Sequence, residues 1–198
     1  MRKTGRRFAA IIFSMALVCA VSSVAMAQEE ERHIIRGFAG YLTPTGDNTL
    51  NLSNIELDNT AGFGVGYEFK VTPLIGIAAD YSWYGPDVKV EDIGDASADF
   101  NPGTLGVMFH FIHGRVVDFY AGPAAAYIDY GSSSDVDIDT EWTWDARVGI
   151  DFKIFKWLGV GASIEYIDAK GDFNLPNGDS SSLDPKPVIT KLGASLRF

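Results

Sequence analysis

Ala61-Gly62-Phe63-Gly64-Val65-Gly66-Tyr67-Glu68-Phe69 is the stretch on which the fold turns. Phe63, Val65, Tyr67 and Phe69 fall on one side of an extended chain, with Gly62, Gly64, Gly66 and Glu68 on the other. Successive side chains of a strand point to opposite faces, so this period of two predicts a strand with one apolar face and one small or polar face. Glycine at alternate positions of a nucleotide-binding fingerprint would precede a helix, and none is predicted here; these glycines are read as strand packing.

The pattern recurs along the chain. Ile75, Ile77, Ala79, Tyr81 and Trp83 oppose Gly76, Ala78, Asp80 and Ser82, and Leu105, Val107, Phe109 and Phe111 oppose Thr104, Gly106, Met108 and His110. Trp144, Ala146, Val148, Ile150 and Phe152 oppose Thr143, Asp145, Arg147, Gly149 and Asp151. Leu158, Val160, Ala162, Ile164 and Tyr166 alternate with Gly159, Gly161, Ser163 and Glu165, and Leu192, Ala194, Leu196 and Phe198 with Lys191, Gly193, Ser195 and Arg197. Two segments read less cleanly. Val117 to Tyr130 puts Phe119, Ala121, Pro123, Ala125 and Tyr127 on one face, and in Ile34 to Leu42 Phe38 shares a face with Arg36 and breaks the polarity. The total is eight, an even number, as an up-and-down membrane barrel built from one chain usually requires.

Connections alternate in length. Short turns are predicted at Val71-Thr72-Pro73, His113-Gly114-Arg115 and Ile154-Phe155-Lys156, and long polar links over 43–59, 85–99, 131–140 and 170–184. Short turns on one side and long loops on the other characterise outer-membrane barrels. A soluble barrel with its apolar face inward is the rival. Against it, the polar face is rich in Gly, Ala and Ser, which suits a cramped interior. Tyr67, Phe69, Tyr81, Trp83, Tyr127, Trp142 and Phe198 lie near strand ends, where interfacial girdles sit. The strands also run about 9–11 residues, enough to cross hydrocarbon at a tilt. The predicted fold is all-β: an eight-stranded antiparallel up-and-down transmembrane β-barrel following an N-terminal signal peptide.

Residues 1–27 read as that signal. Arg2, Lys3, Arg6 and Arg7 precede the apolar run from Phe8 to Val24, and Ala25-Met26-Ala27 supplies small residues for cleavage before Gln28. Residues 28–198 then form one barrel domain. Four bases and no acid leave with the signal, so the formal charge of −10 becomes more negative by four. The single cysteine, Cys19, leaves too, which excludes disulfide and thiol chemistry. Such an acidic surface argues against nucleic acid, whose phosphates call for Lys and Arg.

The sequence also resembles a known family. Asn101-Pro102-Gly103-Thr104-Leu105 is similar to the Pro-x-Thr-Leu start of the fourth barrel strand in the outer membrane protein W (OmpW) family. Phe119-Tyr120-Ala121-Gly122-Pro123-Ala124 resembles the Pro-Tyr-x-Gly-x-Gly fifth strand, with Phe119 and Ala124 departing from it. Trp144 to Asp151 with Trp157-Leu158, Leu183-Asp184-Pro185 and the closing Arg197-Phe198 extend the likeness over the rest of the chain. The resemblance implies residence in the bacterial outer membrane and a narrow channel for small hydrophobic molecules, with sideways exit through the wall as one route. Pro123 is where such an exit is expected, since proline donates no ladder hydrogen bond, and a tolerated bulge is the plainer reading. Expected partners are outer-membrane lipid and lipopolysaccharide, and the barrel assembly machinery, which would read the last strand ending on Phe198.

Ten polar residues are predicted to face inward: Arg36, Glu68, Asp80, His110, Asp145, Arg147, Asp151, Glu165, Lys191 and Arg197. They either line a selective channel or pair as a salt-bridged plug, because charges inside a narrow barrel must pair or meet water. Asp145, Arg147 and Asp151 share a face and are expected in one network. A closed structural or surface-interaction barrel without transport is the alternative function. An enzyme is not expected: His33, His110 and His113 fall near the periplasmic end, and Ser82 and Ser163 have no His at their level to form a nucleophile–base pair. Asp135, Asp137 and Asp139 could offer oxygens to Ca²⁺, but such a run is more often solvated. No cofactor or metal is expected.

Overall fold

A computed structural model describes residues 31–46, 55–90, 94–97, 99–131, 137–138, 141–169, 171–174, 180–183 and 185–198. The signal segment, the Asp135 and Asp139 positions and Asp184 lie outside these residues. The strands in chain order are β1 (His33–Thr43), β2 (Ile55–Leu57), β3 (Thr60–Thr72), β4 (Ile75–Tyr84), β5 (Asp87–Val90), β6 (Gly94–Ser97) and β7 (Asp99–His113). They continue as β8 (Val117–Gly131), β9 (Asp137–Ile138), β10 (Glu141–Lys153), β11 (Leu158–Ile167), β12 (Gly171–Asn174), β13 (Ser180–Leu183) and β14 (Val188–Arg197).

Eight of them close a barrel in the order β1-β14-β11-β10-β8-β7-β4-β3, every pair antiparallel. Closure matters because hydrocarbon offers no partner to an unpaired N–H or C=O, so an edge strand is not tolerated there. The first and last strands complete the ring, with Ile34 opposite Arg197 and Thr43 opposite Val188. His33 and Phe198 exchange backbone hydrogen bonds of 2.8 and 3.0 Å at the end of that seam.

The three short turns lie where expected. Thr72 Oγ1 accepts from the N–H groups of Leu74 and Ile75 at 3.2 and 3.0 Å and tightens the first of them. On the other side the long links are not featureless. β2, β5 and β6 form one three-stranded sheet, and β9, β12 and β13 another. Their strands of two to four residues are too short to carry a readable period. β7 and β8 also run to 15 residues, longer than expected, because β7 begins at Asp99 and takes in Asn101-Pro102-Gly103.

The apolar face points out. Phe63, Phe111, Trp142 and Leu192 are 63–65% exposed, and Val65, Ile77, Val107, Val148, Val160 and Ile164 continue the band. Contiguous apolar surface on this scale is a lipid-facing wall, not a water-facing one. Aromatic contacts cluster at both rims. Phe63–Trp83, Tyr127–Trp142 and Trp144–Tyr166 lie toward the loops, and His33–Phe198, Phe111–Phe119 and Phe155–Trp157 toward the turns. Arginine at Val148 would place a charge on this band. The expected result of Val148→Arg is a loss of roughly 2–4 kcal/mol in urea unfolding from lipid vesicles. An unchanged midpoint would place Val148 off the lipid face.

Candidate functional site

Alternation sends the second face of every barrel strand inward, and this interior divides into three layers. At the turn side, Glu68 and Lys70 enter from β3, His110 from β7, Asp118 from β8, Asp151 from β10, Arg36 from β1 and Arg197 from β14. Arg36 spans Glu68 at 2.8 Å and Asp151 at 3.1 Å. Arg197 joins Asp151 at 2.7 Å and Asp118 at 3.4 Å, and Lys70 reaches Asp118 at 2.8 Å. His110 is bracketed, Nε2 to Glu68 and Nδ1 to Asp118, both at 2.7 Å. A neutral imidazole carries one N–H, so two such contacts require one further proton shared among the three groups.

The middle layer centres on Arg147. It forms an ion pair with Asp80, donates to Thr104 Oγ1 at 3.0 Å, and lies 3.3 Å from Glu165 and 3.9 Å from Asp145. Lys191 pairs with the other Glu165 oxygen, and its Nζ sits 4.5 Å over the Phe38 ring. Glycines make room for both ionic layers. A Cβ at Gly66 would fall on the Asp80 carboxylate, and one at Gly161 on that of Asp151. Between the two ionic layers lies a cavity of about 30 Å³, bordered by Arg36, Tyr120, Arg147 and Lys191. That is room for a water or two, not for a solute.

The loop-side layer is different in kind. Leu42, Tyr84, Phe100, Ile128, Tyr130, Ile167 and Ile189 pack there as one apolar cluster, with Ile128, Ile167 and Ile189 fully buried. The interior therefore passes from apolar at the loop side to ionic at the turn side.

All ten predicted inward residues are inside the barrel, nine of them buried and Arg36 nearly so. Their grouping differs from expectation in one respect. Asp151 does not join Asp145 and Arg147; it belongs to the turn-side layer with Arg36 and Arg197. It lies six residues from Asp145 on one strand, so a shared face still leaves the two at different heights. Lys70, Asp118 and Tyr120 were missed. Lys70 is the next inward position after Glu68, just past the end of the quoted stretch. Asp118 and Tyr120 oppose Phe119 and Ala121 on a strand whose alternation is less clean, so its inward face carries little signal in the sequence. Phe38, the residue that broke polarity, is an inward ring serving Lys191.

Two prolines interrupt ladders. Pro102 pairs with Ile128 on β8, but between Tyr81↔Gly103 and Tyr84↔Phe100 the β4–β7 ladder holds no paired residues. Pro123 pairs with Ala146 on β10, and the β7–β8 ladder is likewise empty between Gly106↔Ala124 and Phe109↔Ala121. Each proline lacks the N–H its neighbour would accept. The consequences differ. At Pro123 the strands stay close, since a Cβ on Gly122 would strike the Val107 carbonyl. Near Pro102, at the loop-side ends of β3, β4 and β7, Phe63, Trp83, Tyr84, Asp99 and Asn101 among others line an open surface groove of about 290 Å³.

No curated protein matches the sequence. Among solved structures, OprG from Pseudomonas aeruginosa is similar with a TM-score of 0.73 at 16% identity, over 87% of this chain and 98% of that one. AlkL, solved in DMPC bilayers, gives 0.60 at 20% identity over 87% and 92%. Outer membrane protein W of E. coli gives 0.59 at 21% identity over 87% and 100%. At these identities the likeness is one of fold. The pattern of the family described as outer membrane protein beta-barrel domain matches residues 12–198. With a closed eight-stranded barrel, an apolar outer wall and a polar interior, the chain belongs to that family of bacterial outer-membrane barrels.

Proposed function

We propose that the protein is a narrow route by which small, apolar molecules leave the cell surface and enter the outer membrane, as the resemblance to OmpW-type proteins implies. The layering of the interior carries this reading. An apolar molecule arriving from the loops meets Leu42, Phe100, Ile128 and Ile189, whose environment it can share. Below them the paired charges of Arg147 and Arg36 block the axis, and an apolar molecule cannot replace their partners. Sideways exit is the route left, and the interrupted seam near Pro102, not Pro123, is where a surface groove favours it. The charged residues predicted as a channel lining then act as a floor. The same reading keeps Phe198 as the signal for barrel assembly, lying next to His33 where the ring closes.

A second reading has its own support. The apolar cluster is tightly packed and the cavity below it measures about 30 Å³, as in a closed structural or surface-binding barrel. Uptake of a radiolabelled small apolar compound by intact cells separates the two. Wild-type protein is expected to raise the initial rate above that of cells lacking it. Pro102→Val, which restores a ladder donor, is expected to return the rate to background at equal surface abundance. Wild-type uptake at background would leave the closed barrel as the function.

A further inference from the structure

The turn-side layer holds His110 in a way that a neutral histidine cannot satisfy. Its ring is fully buried, with Nε2 2.7 Å from Glu68 and Nδ1 2.7 Å from Asp118. A carboxylate only accepts, so a ring with a single N–H would turn a lone pair toward an anion. Both carboxylates already face fixed cations, Glu68 meeting Arg36 at 2.8 Å, and Asp118 meeting Lys70 at 2.8 Å and Arg197 at 3.4 Å. Cations so close favour the ionised carboxylates, which leaves the additional proton to the imidazole. An independent count agrees. Among the described residues the barrel encloses six carboxyl side chains, Glu68, Asp80, Asp118, Asp145, Asp151 and Glu165. Against them stand five cations, Arg36, Lys70, Arg147, Lys191 and Arg197. Buried charges must be matched, and the interior is one positive charge short. A proton on Asp145 would meet the count, but it would not supply the second donor that the His110 ring needs.

We propose that His110, as an imidazolium, is the sixth cation of the plug, and that its proton ties the barrel's stability to the pH on the turn side of the membrane. The link to solvent is His113, 29% exposed, whose Nδ1 lies 3.5 Å from the Asp118 carboxylate and 3.2 Å from Lys70 Nζ. The remaining neighbours are Tyr120, its ring 5.7 Å away, and Asp151, held between Arg36 and Arg197. Neither offers a cation in place of His110. Above about pH 6.5 a histidine in the unfolded chain has released its proton. A folded barrel that still holds one binds more protons than the unfolded chain, so its stability falls as pH rises, by up to about tenfold in the folding equilibrium per pH unit. The inference concerns the ionic floor and holds whether or not apolar molecules pass above it.

The test uses the full-length mature barrel refolded in maltoside micelles, with isotope-labelled histidine ring nitrogens read by NMR. The chain has three histidines, so His33→Gln and His113→Gln assign the His110 signals. At about pH 8, where an unperturbed histidine is neutral, both His110 nitrogens are expected at the shifts of an imidazolium. One unprotonated His110 nitrogen overturns the proposal. In urea unfolding from lipid vesicles, raising the pH from about 7 to about 9 is expected to destabilise the wild-type barrel about tenfold more than His110→Gln. Lys70 and Lys191 remain in that variant, so the difference isolates the His110 proton. Equal pH dependence of the two proteins overturns the proposal as well. The ring-nitrogen shifts of the wild-type barrel decide the matter even if His110→Gln does not refold.

Discussion

Arg147→Ala is expected to cost the barrel roughly 3–5 kcal/mol in urea unfolding from lipid vesicles, the range for removing one partner of a buried ion pair. The guanidinium is the shared cation of Asp80, Glu165 and Asp145, and the substitution leaves Lys191 as the cation for the middle layer. Three carboxylates would then face one ammonium inside a wall that admits little water. The same variant is expected to leak ions in planar bilayers, because solvent must enter to screen them. Altered ion preference at nearly unchanged stability would show instead that the layer is an aqueous lining, where water already screens each group. No change in either quantity would mean that Arg147 does not sit in the interior network.

Asp118→Ala carries the second large effect, again roughly 3–5 kcal/mol by the same unfolding measurement. Asp118 accepts from Lys70, His110 and Arg197, and its side chain is fully buried. Its loss strands Lys70 without its carboxylate, whereas Arg197 keeps Asp151 and His110 keeps Glu68. Asp118→Ala/Lys70→Met tests the cause. Removing both partners is expected to recover much of the loss, since the stranded charge goes with them. A double variant as unstable as Asp118→Ala would assign the effect to the contacts with Arg197 and His110.

The barrel was legible because lipid enforces alternation so strictly. Phe63 to Phe69 cannot change face without moving an apolar stripe into the interior or a charge into hydrocarbon. The same alternation marks which residues face inward, and all ten predicted ones do. It is silent on height, since height depends on how neighbouring strands slide past one another. Alternation alone therefore groups Asp151 with Arg147, whereas the ion pairs place it with Arg36 and Arg197. Height also separates the two prolines. Both break a ladder, but Gly106 and Gly122 bring β7 and β8 close together beside Pro123, whereas an open surface groove lies near Pro102. Neither loop sheet could be read, for strands such as Asp137–Ile138 end before a period begins.

The turn-side ion pairs join residues that are remote along the chain. Arg36 and Asp151 are 115 positions apart, and Arg197 and Asp118 are 79. Arg36 comes from the first strand and Arg197 from the last; Arg36 can meet Glu68 within the first hairpin, but a half-assembled sheet cannot bring either arginine to Asp151. Asp118 can already meet His110 on the neighbouring β7, but Asp151 would wait, uncompensated, until the ring closes. Ring closure is therefore also the moment when the interior becomes electrically content, and the two events are expected to occur as one cooperative step. Contacts of such long sequence separation slow folding. A truncated barrel lacking β14 should accordingly fail to hold a partial structure, rather than persist as a seven-stranded intermediate.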